Sequence, residues 1–174
     1  MNWPLVRAII ALPGTALVFI PAAILWFSRN TRYAAQVAGP GQVVFWIALA
    51  AAMFGLGMST WTATLFVKVG RGTPAPWEPP RKLVVLGPYR HVRNPMITGA
   101  LFVLLSEALL FKSLPLAAWV IVFFAANAIY FPLVEEKGLQ KRFGAEYVAY
   151  RKAVPRWLPR LRPWKRATGD QPDY

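Results

Sequence analysis

The sequence predicts an all-α, polytopic membrane protein: a bundle of about four transmembrane helices with a C-terminal amphipathic helix on the cytoplasmic side. Three observations predict it. Hydrophobic residues make up 56% of the chain and charged ones 16%, against about 45–50% and 25% in soluble domains. The apolar excess gathers into runs long enough to cross a bilayer. The basic residues, 20 Lys+Arg against 7 Asp+Glu, gather in segments that four spans place on one side of the membrane. At 174 residues, the chain is expected to form one membrane domain, 1–174.

The first span is expected at about 8–27, "AIIALPGTALVFIPAAILWF", kinked at Pro13 and Pro21. Arg7 gives it a basic flank, as a signal peptide has. The run is long for such a peptide's apolar core and lacks a small-x-small cleavage site, so it reads as a retained helix. A polar link follows at 28–42. The second span, about 43–67, carries Gly55 and Gly57, which permit close helix approach. Ser59, Thr60, Thr62 and Thr64 make its second half polar, and such residues are expected to face other helices or a cavity.

A loop covers 68–95. Its stretch "RGTPAPWEPPRK" is too rich in proline for helix and should be extended. "LVVL", 83–86, is either a short strand or an apolar contact. The third run, about 96–111, has 16 residues, and the turn "KSLP" joins it to a fourth at about 114–134 as a hairpin. So short a span points to a dipping loop or a cavity beside 94–99.

From 135 the character changes. "EEKGLQKRFGAEYVAYRKAV" reads as an amphipathic helix over 135–152, interrupted near Gly144 and ended by Pro155. Leu139, Phe143, Tyr147 and Tyr150 fall on one face, and Glu135 and Glu136 suit the positive end of the helix dipole. The tail beyond is basic, proline-rich and expected to fray at its end.

The link 28–42 holds only Arg29 and Arg32. The loop 68–95 holds Lys68, Arg71, Arg81, Lys82, Arg90 and Arg93, and the C-terminal segment holds more. A multi-pass protein of the cell membrane with both termini cytoplasmic follows. Trp3, Trp26, Trp77, Trp119 and Trp157 read as interfacial anchors. The formal charge of +13 is assigned to anionic lipid rather than nucleic acid, because no nucleic-acid motif accompanies it.

Elimination narrows the chemistry. There is no cysteine and a single histidine, His91, so a serine-hydrolase triad and a zinc or iron site are disfavoured and no metal is expected. Walker and Rossmann glycine patterns are absent. What remains is the cationic loop "GPYRHVRNPMITG", 87–99, the Glu135–Glu136 pair and a tyrosine-bearing helix. These suit transfer of a group with little acid–base help. Methyl transfer from S-adenosylmethionine is such a reaction, in which proximity and alignment supply most of the acceleration.

The same residues carry a resemblance. "GPYRHVRNPMITG" followed by "VEEKGLQKRFGAEYVAYRKAVPRWLP" is similar to the isoprenylcysteine carboxyl methyltransferases and their relatives, the phospholipid N-methyltransferases. The first motif agrees at Gly87, Tyr89, Arg93, Pro95 and Gly99. The second agrees at Glu135, Glu136, Phe143, Gly144, Tyr147, Tyr150, Val154 and Pro155. Asn94 stands where the family has histidine, and Ile97 where it has tyrosine.

The resemblance implies an integral membrane methyltransferase that uses S-adenosylmethionine, with Arg93 and Glu136 catalytic. It implies cofactor binding by Tyr89, Asn94, Pro95, Gly99, Glu135, Glu136, Tyr147 and Tyr150. The acceptor would be a lipophilic molecule or lipid arriving from the bilayer, its carboxylate or amine at headgroup level. Asn94 can hydrogen-bond but cannot titrate, so a proton-abstracting role there is excluded.

Each feature has a plainer reading. Arg90 and Arg93 suit lipid phosphates, and Arg90 is kept as lipid-facing. Asn94 and Pro95 suit a helix cap and first turn. Tyr147 and Tyr150 suit packing of their own helix. Adjacent helix positions diverge by about 100°, so one carboxylate of the pair should face the site, and Glu136 is preferred. Glu107 and Asn127 lie inside spans at different depths, where a polar group suggests function. The rival functions are an NADPH-dependent membrane reductase and a non-enzymatic lipid-binding or scaffolding protein.

Overall fold

The computed structural model describes residues 10–70 and 81–165. The first residues of the first span, Trp3, Trp77, the proline-rich stretch within 71–80 and the tail end from 166 lie outside the described residues. Among those described, every regular element is helical.

Ile10–Phe19 winds as a wider π-type helix with Pro13 inside it, and gives way at Pro21 to an α-helix, Ile20–Ser28, here α1. Proline lacks the N–H that a regular ladder needs, so winding changes where prolines fall. The link from 28 to 42 returns to the bundle. Gln36 N–H and Ala38 N–H donate to the carbonyls of Phe111 and Leu110, and Ala38 is buried.

The second helix, α2, is Val43–Lys68, and the third, α3, is Pro95–Leu110. They pack antiparallel where Gly55 meets Gly99. A Cβ on Gly99 would lie 2.5 Å from Ser59 Oγ and 2.9 Å from the Gly55 carbonyl oxygen. Only hydrogen fits at that crossing. Two residues along the same helix, Gly57 is exposed and a Cβ on it would meet nothing within 4 Å. The expectation that both glycines serve the approach is therefore corrected. Two positions turn about 200° around a helix, so Gly57 faces away.

The hydroxyls of α2 divide in the same way. Thr62 is fully buried and donates to the carbonyls of Met58 and Ser59. Thr60 and Thr64 are exposed rather than facing a neighbour, which corrects the sequence reading. Thr64 Oγ1 donates to the Thr60 carbonyl at 2.8 Å, so it faces outward with its polarity satisfied.

After the turn at Ser113, whose Oγ accepts from Leu116 N–H, the fourth helix, α4, is Leu114–Tyr130. It runs on through a π-type turn, Phe131–Glu135, which contains Pro132, into the fifth helix, α5, Glu136–Ala153. The helix axis breaks inside α5 at Gly144 (φ 54°, ψ −130°). Segment 83–86 forms no strand. Leu83 and Val85 pack on Tyr147, Tyr150 and Val154, so it is an apolar contact.

Among the described residues, two helices are long and apolar enough to cross a membrane, Val43–Lys68 and Leu114–Ala153, whose most apolar stretches have mean hydropathies of 1.9 and 2.0. Only 17% and 0% of their most apolar windows are buried, so they are not the core helices of a soluble domain. Met53, Phe54, Ile121 and Val122 face outward, as lipid requires. Pro13–Ser28 and Pro95–Leu110 are apolar but shorter.

The Gly99 crossing gives a test. Gly99→Val forces a branched side chain against Ser59 and the Gly55 backbone, a change expected to cost about 1–3 kcal/mol. Thermal unfolding in detergent should fall clearly below wild type for Gly99→Val and stay near it for Gly57→Ala. Equal melting of the two variants would remove the crossing as a close contact.

Candidate functional site

The loop before α3 is built to hold its shape. Gly87 takes φ 52°, and a Cβ there would lie 2.9 Å from the Trp61 ring. Gly87–Arg90 forms one 3-10 turn, with Tyr89 buried and its ring edge-on to Phe66 at 5.6 Å. Burial, then the neighbouring Tyr150, pushes the Tyr89 phenol well above its ordinary pKa. It stays protonated at neutral pH and is no base.

The C-terminal segment lies along this loop. Arg93 N–H donates to the Pro155 carbonyl at 2.9 Å, Arg160 N–H to His91 O at 3.0 Å and Trp164 N–H to Arg90 O at 3.0 Å. His91 Nδ1 donates to the Arg160 carbonyl at 2.7 Å; a carbonyl only accepts, so that nitrogen carries the proton. The expected fraying therefore does not extend to 155–164. His91 is a half-buried tie between two segments.

Behind the loop, Glu136 is 5% exposed. Its Oε1 accepts from Arg93 Nη1 at 2.6 Å and from Arg156 Nε at 2.8 Å. Of the carboxylate pair, Glu136 is thus the one that turns inward, and Glu135 is half-buried. Tyr147 shares a side-chain hydrogen bond with Arg93 and lies within electrostatic reach of Glu136. Tyr150 donates its hydroxyl to Tyr89 O at 2.7 Å. Both tyrosines are buried in one cluster with Val154, which matches their plainer, packing role.

Asn94 precedes Pro95 at the start of α3, but its side chain makes no capping bond, which corrects the cap expectation. Its φ and ψ of −119° and 53° lie outside the extended geometry from which a cap oxygen reaches the first free N–H groups. Asn94 is 7% exposed, and among the described residues its Nδ2 has no partner; nor do the buried Arg93 Nε and Ser59 Oγ. Ser59 sits one turn deeper, against Gly99. Buried donors without partners are costly, and these collect around the first turns of α3.

The structure brings Tyr89, Arg93, Asn94, Pro95, Glu136, Tyr147 and Tyr150 to this end of the bundle. Gly99 serves the helix crossing. Glu107 lies toward the other end of α3, and its Oε2 has no partner among the described residues. Asn127 Nδ2 donates to the Phe123 carbonyl of its own helix, so Glu107 and Asn127 do not pair. Arg90 Nε reaches the Val85 carbonyl at 3.4 Å. Among the described residues, no group of three or more His, Cys, Asp or Glu side chains is placed to hold a metal.

Sequence reasoning missed Arg156. It directly follows Val154 and Pro155 of the second motif, and that adjacency was its only signal.

Lipid-exposed helices flanking a buried arginine–carboxylate cluster define an integral membrane protein with a polar site at one end. Residues 43–146, more than half of the chain, match the phospholipid methyltransferase family. The chain belongs to that family, among the integral membrane methyltransferases. Neither a curated protein nor a solved structure matches it. Arg156 and the C-terminal segment lie beyond the matched residues.

Removing Glu136 leaves two guanidinium groups without their carboxylate, one of them with a side chain only 11% exposed. Glu136→Ala is expected to cost about 3–5 kcal/mol, read as a large drop in melting temperature. Arg156→Ala leaves Glu136 paired with Arg93 and should cost less than half as much. If Glu136→Ala melts like wild type, the shared carboxylate is not a structural tie.

Proposed function

We propose that this chain is an S-adenosylmethionine-dependent methyltransferase with a lipophilic acceptor whose carboxylate or amine lies at headgroup level. The observation that carries the reading is the pair of buried, unpartnered donors, Arg93 Nε and Asn94 Nδ2, beside the Glu136 carboxylate. Both are N–H donors, so they suit a ligand that brings an acceptor such as a carboxylate. The residues present therefore fit the cofactor that the family implies.

When bound, S-adenosylmethionine supplies a methyl group on a sulfonium whose leaving group is a neutral thioether. The chain's part is to bind and orient. Arg93 is fixed through Nη1 on Glu136 and by a side-chain hydrogen bond with Tyr147, while its Nε has no partner among the described residues and is open to a ligand. Asn94 adds a donor that cannot titrate. Glu136 fixes the guanidinium groups, since its Oε1 is already bonded twice. Glu135, Tyr147 and Tyr150 belong to the wall in this reading, and Pro95 and Gly99 fix the start and packing of α3.

Tyr89 stays protonated and His91 Nδ1 is committed to a carbonyl. The reading takes the acceptor as a carboxylate or a neutral amine, either of which can attack without a base. The same reading takes the chain as one domain of four spans with both termini cytoplasmic. The acceptor reaches the site laterally from the bilayer, and the cofactor from the basic side.

The test is calorimetric binding of S-adenosylmethionine to detergent-purified protein, with NADPH as comparison. Micromolar binding is expected, weakened at least tenfold, by about 1.4 kcal/mol, in Asn94→Ala and kept in Arg90→Ala. Binding of NADPH alone would favour a reductase. Folded protein that binds neither would refute the reading.

A further inference from the structure

We propose that the C-terminal segment 156–165 is an interfacial anchor that docks on an anionic lipid leaflet, with Leu158 and Leu161 entering the acyl boundary. The inference rests on the membrane placement of the helices and not on methyl transfer.

The segment's position along α4 comes first. The Trp157 ring packs against Phe124 at 5.1 Å and Phe131 at 6.4 Å. Those two residues lie about 10 Å apart along the helix, at about 1.5 Å per residue. Phe124 belongs to the apolar, outward-facing part of α4. Trp157 therefore sits beside a lipid-facing flank and not above it in water.

Its neighbours are the second observation. Leu158 is 80% exposed and Leu161 97%, the two highest values among the described large hydrophobic residues. Leu158 follows directly on Trp157, and Leu161 lies four residues beyond that ring. Pro155, Pro159 and Pro163 lack the backbone N–H groups that lipid cannot satisfy.

Charge identifies the lipid. The segment contains Arg156, Arg160, Arg162 and Lys165 and no acidic residue. Arg156 turns inward to Glu136, and Arg160 Nη1 donates to the Ala153 carbonyl. Arg162 and Lys165 remain exposed, as do Arg151 and Lys152 at the end of α5. Apolar side chains at acyl depth, flanked by exposed cations, match a negatively charged leaflet.

The chain has no cysteine, so single spin labels are straightforward. Leu158→Cys, Leu161→Cys and, as an exposed α5 reference, Gln140→Cys would be labelled in the full chain. Each would be placed in phosphatidylcholine vesicles with and without phosphatidylglycerol. With phosphatidylglycerol, labels at 158 and 161 should have an oxygen-to-nickel-chelate accessibility ratio several-fold above that at 140. The ratio should fall without phosphatidylglycerol, and also in Leu161→Cys combined with Arg162→Glu and Lys165→Glu. Water-accessible labels at 158 and 161 would overturn the proposal, and so would equal depth in the two vesicles. Strong dipolar broadening between labels at 161 would assign the surface to a second copy of the chain and overturn it as well.

Discussion

The Glu136 carboxylate oxygen shared by Arg93 and Arg156 is the interaction on which the rest of this end of the molecule depends. It joins the residue before Asn94, the first turn of α5 and the segment after α5. Arg93 lies at the N-terminal end of a helix, where the dipole is already positive. A cation is unfavourable there unless an anion offsets it, and Glu136 does so from another helix. Arg156 then leaves the cluster with one net positive charge, on the sequence's formal count. A buried ion pair is costly to desolvate, and the backbone bond from Arg93 N–H to Pro155 O fixes the geometry that makes it tolerable.

This tie also explains why the two ends of the bundle differ. At one end the 28–42 link reaches the carbonyls of Leu110 and Phe111 through main-chain bonds. At the other, loop 87–94 is held by carbonyls, a histidine ring, a tyrosine hydroxyl and an ion cluster together. The second end carries the unpartnered donors. Rigid support around a few unsatisfied polar atoms is how binding sites are pre-organised.

Much of the fold was legible because hydropathy is summed over neighbouring residues. The second run and the hairpin at Ser113 needed nothing from elsewhere in the chain. What was not legible depends on direction or on distant partners. Gly55 and Gly57 are alike in sequence and differ only in the side of the helix they occupy. Thr60 and Thr64 satisfy their hydroxyls within their own helix, which composition does not reveal. Asn94 before Pro95 has the local pattern of a cap, yet its backbone turns the side chain away from that role. At the site, Arg93 and Glu136 stood out through the two motifs. Arg156 did not, because its partner is twenty residues back and no periodicity marks it.

The π-type turn Phe131–Glu135 has a consequence for which carboxylate is used. Such a turn accommodates one more residue than an α-turn, so all that follows is rotated back by about 100° relative to regular winding. That angle is one residue's step. With the same residues wound as an unbroken α-helix, Glu135 would occupy the direction in which Glu136 now meets Arg93. Pro132, by loosening a single turn, selects between two chemically identical neighbours.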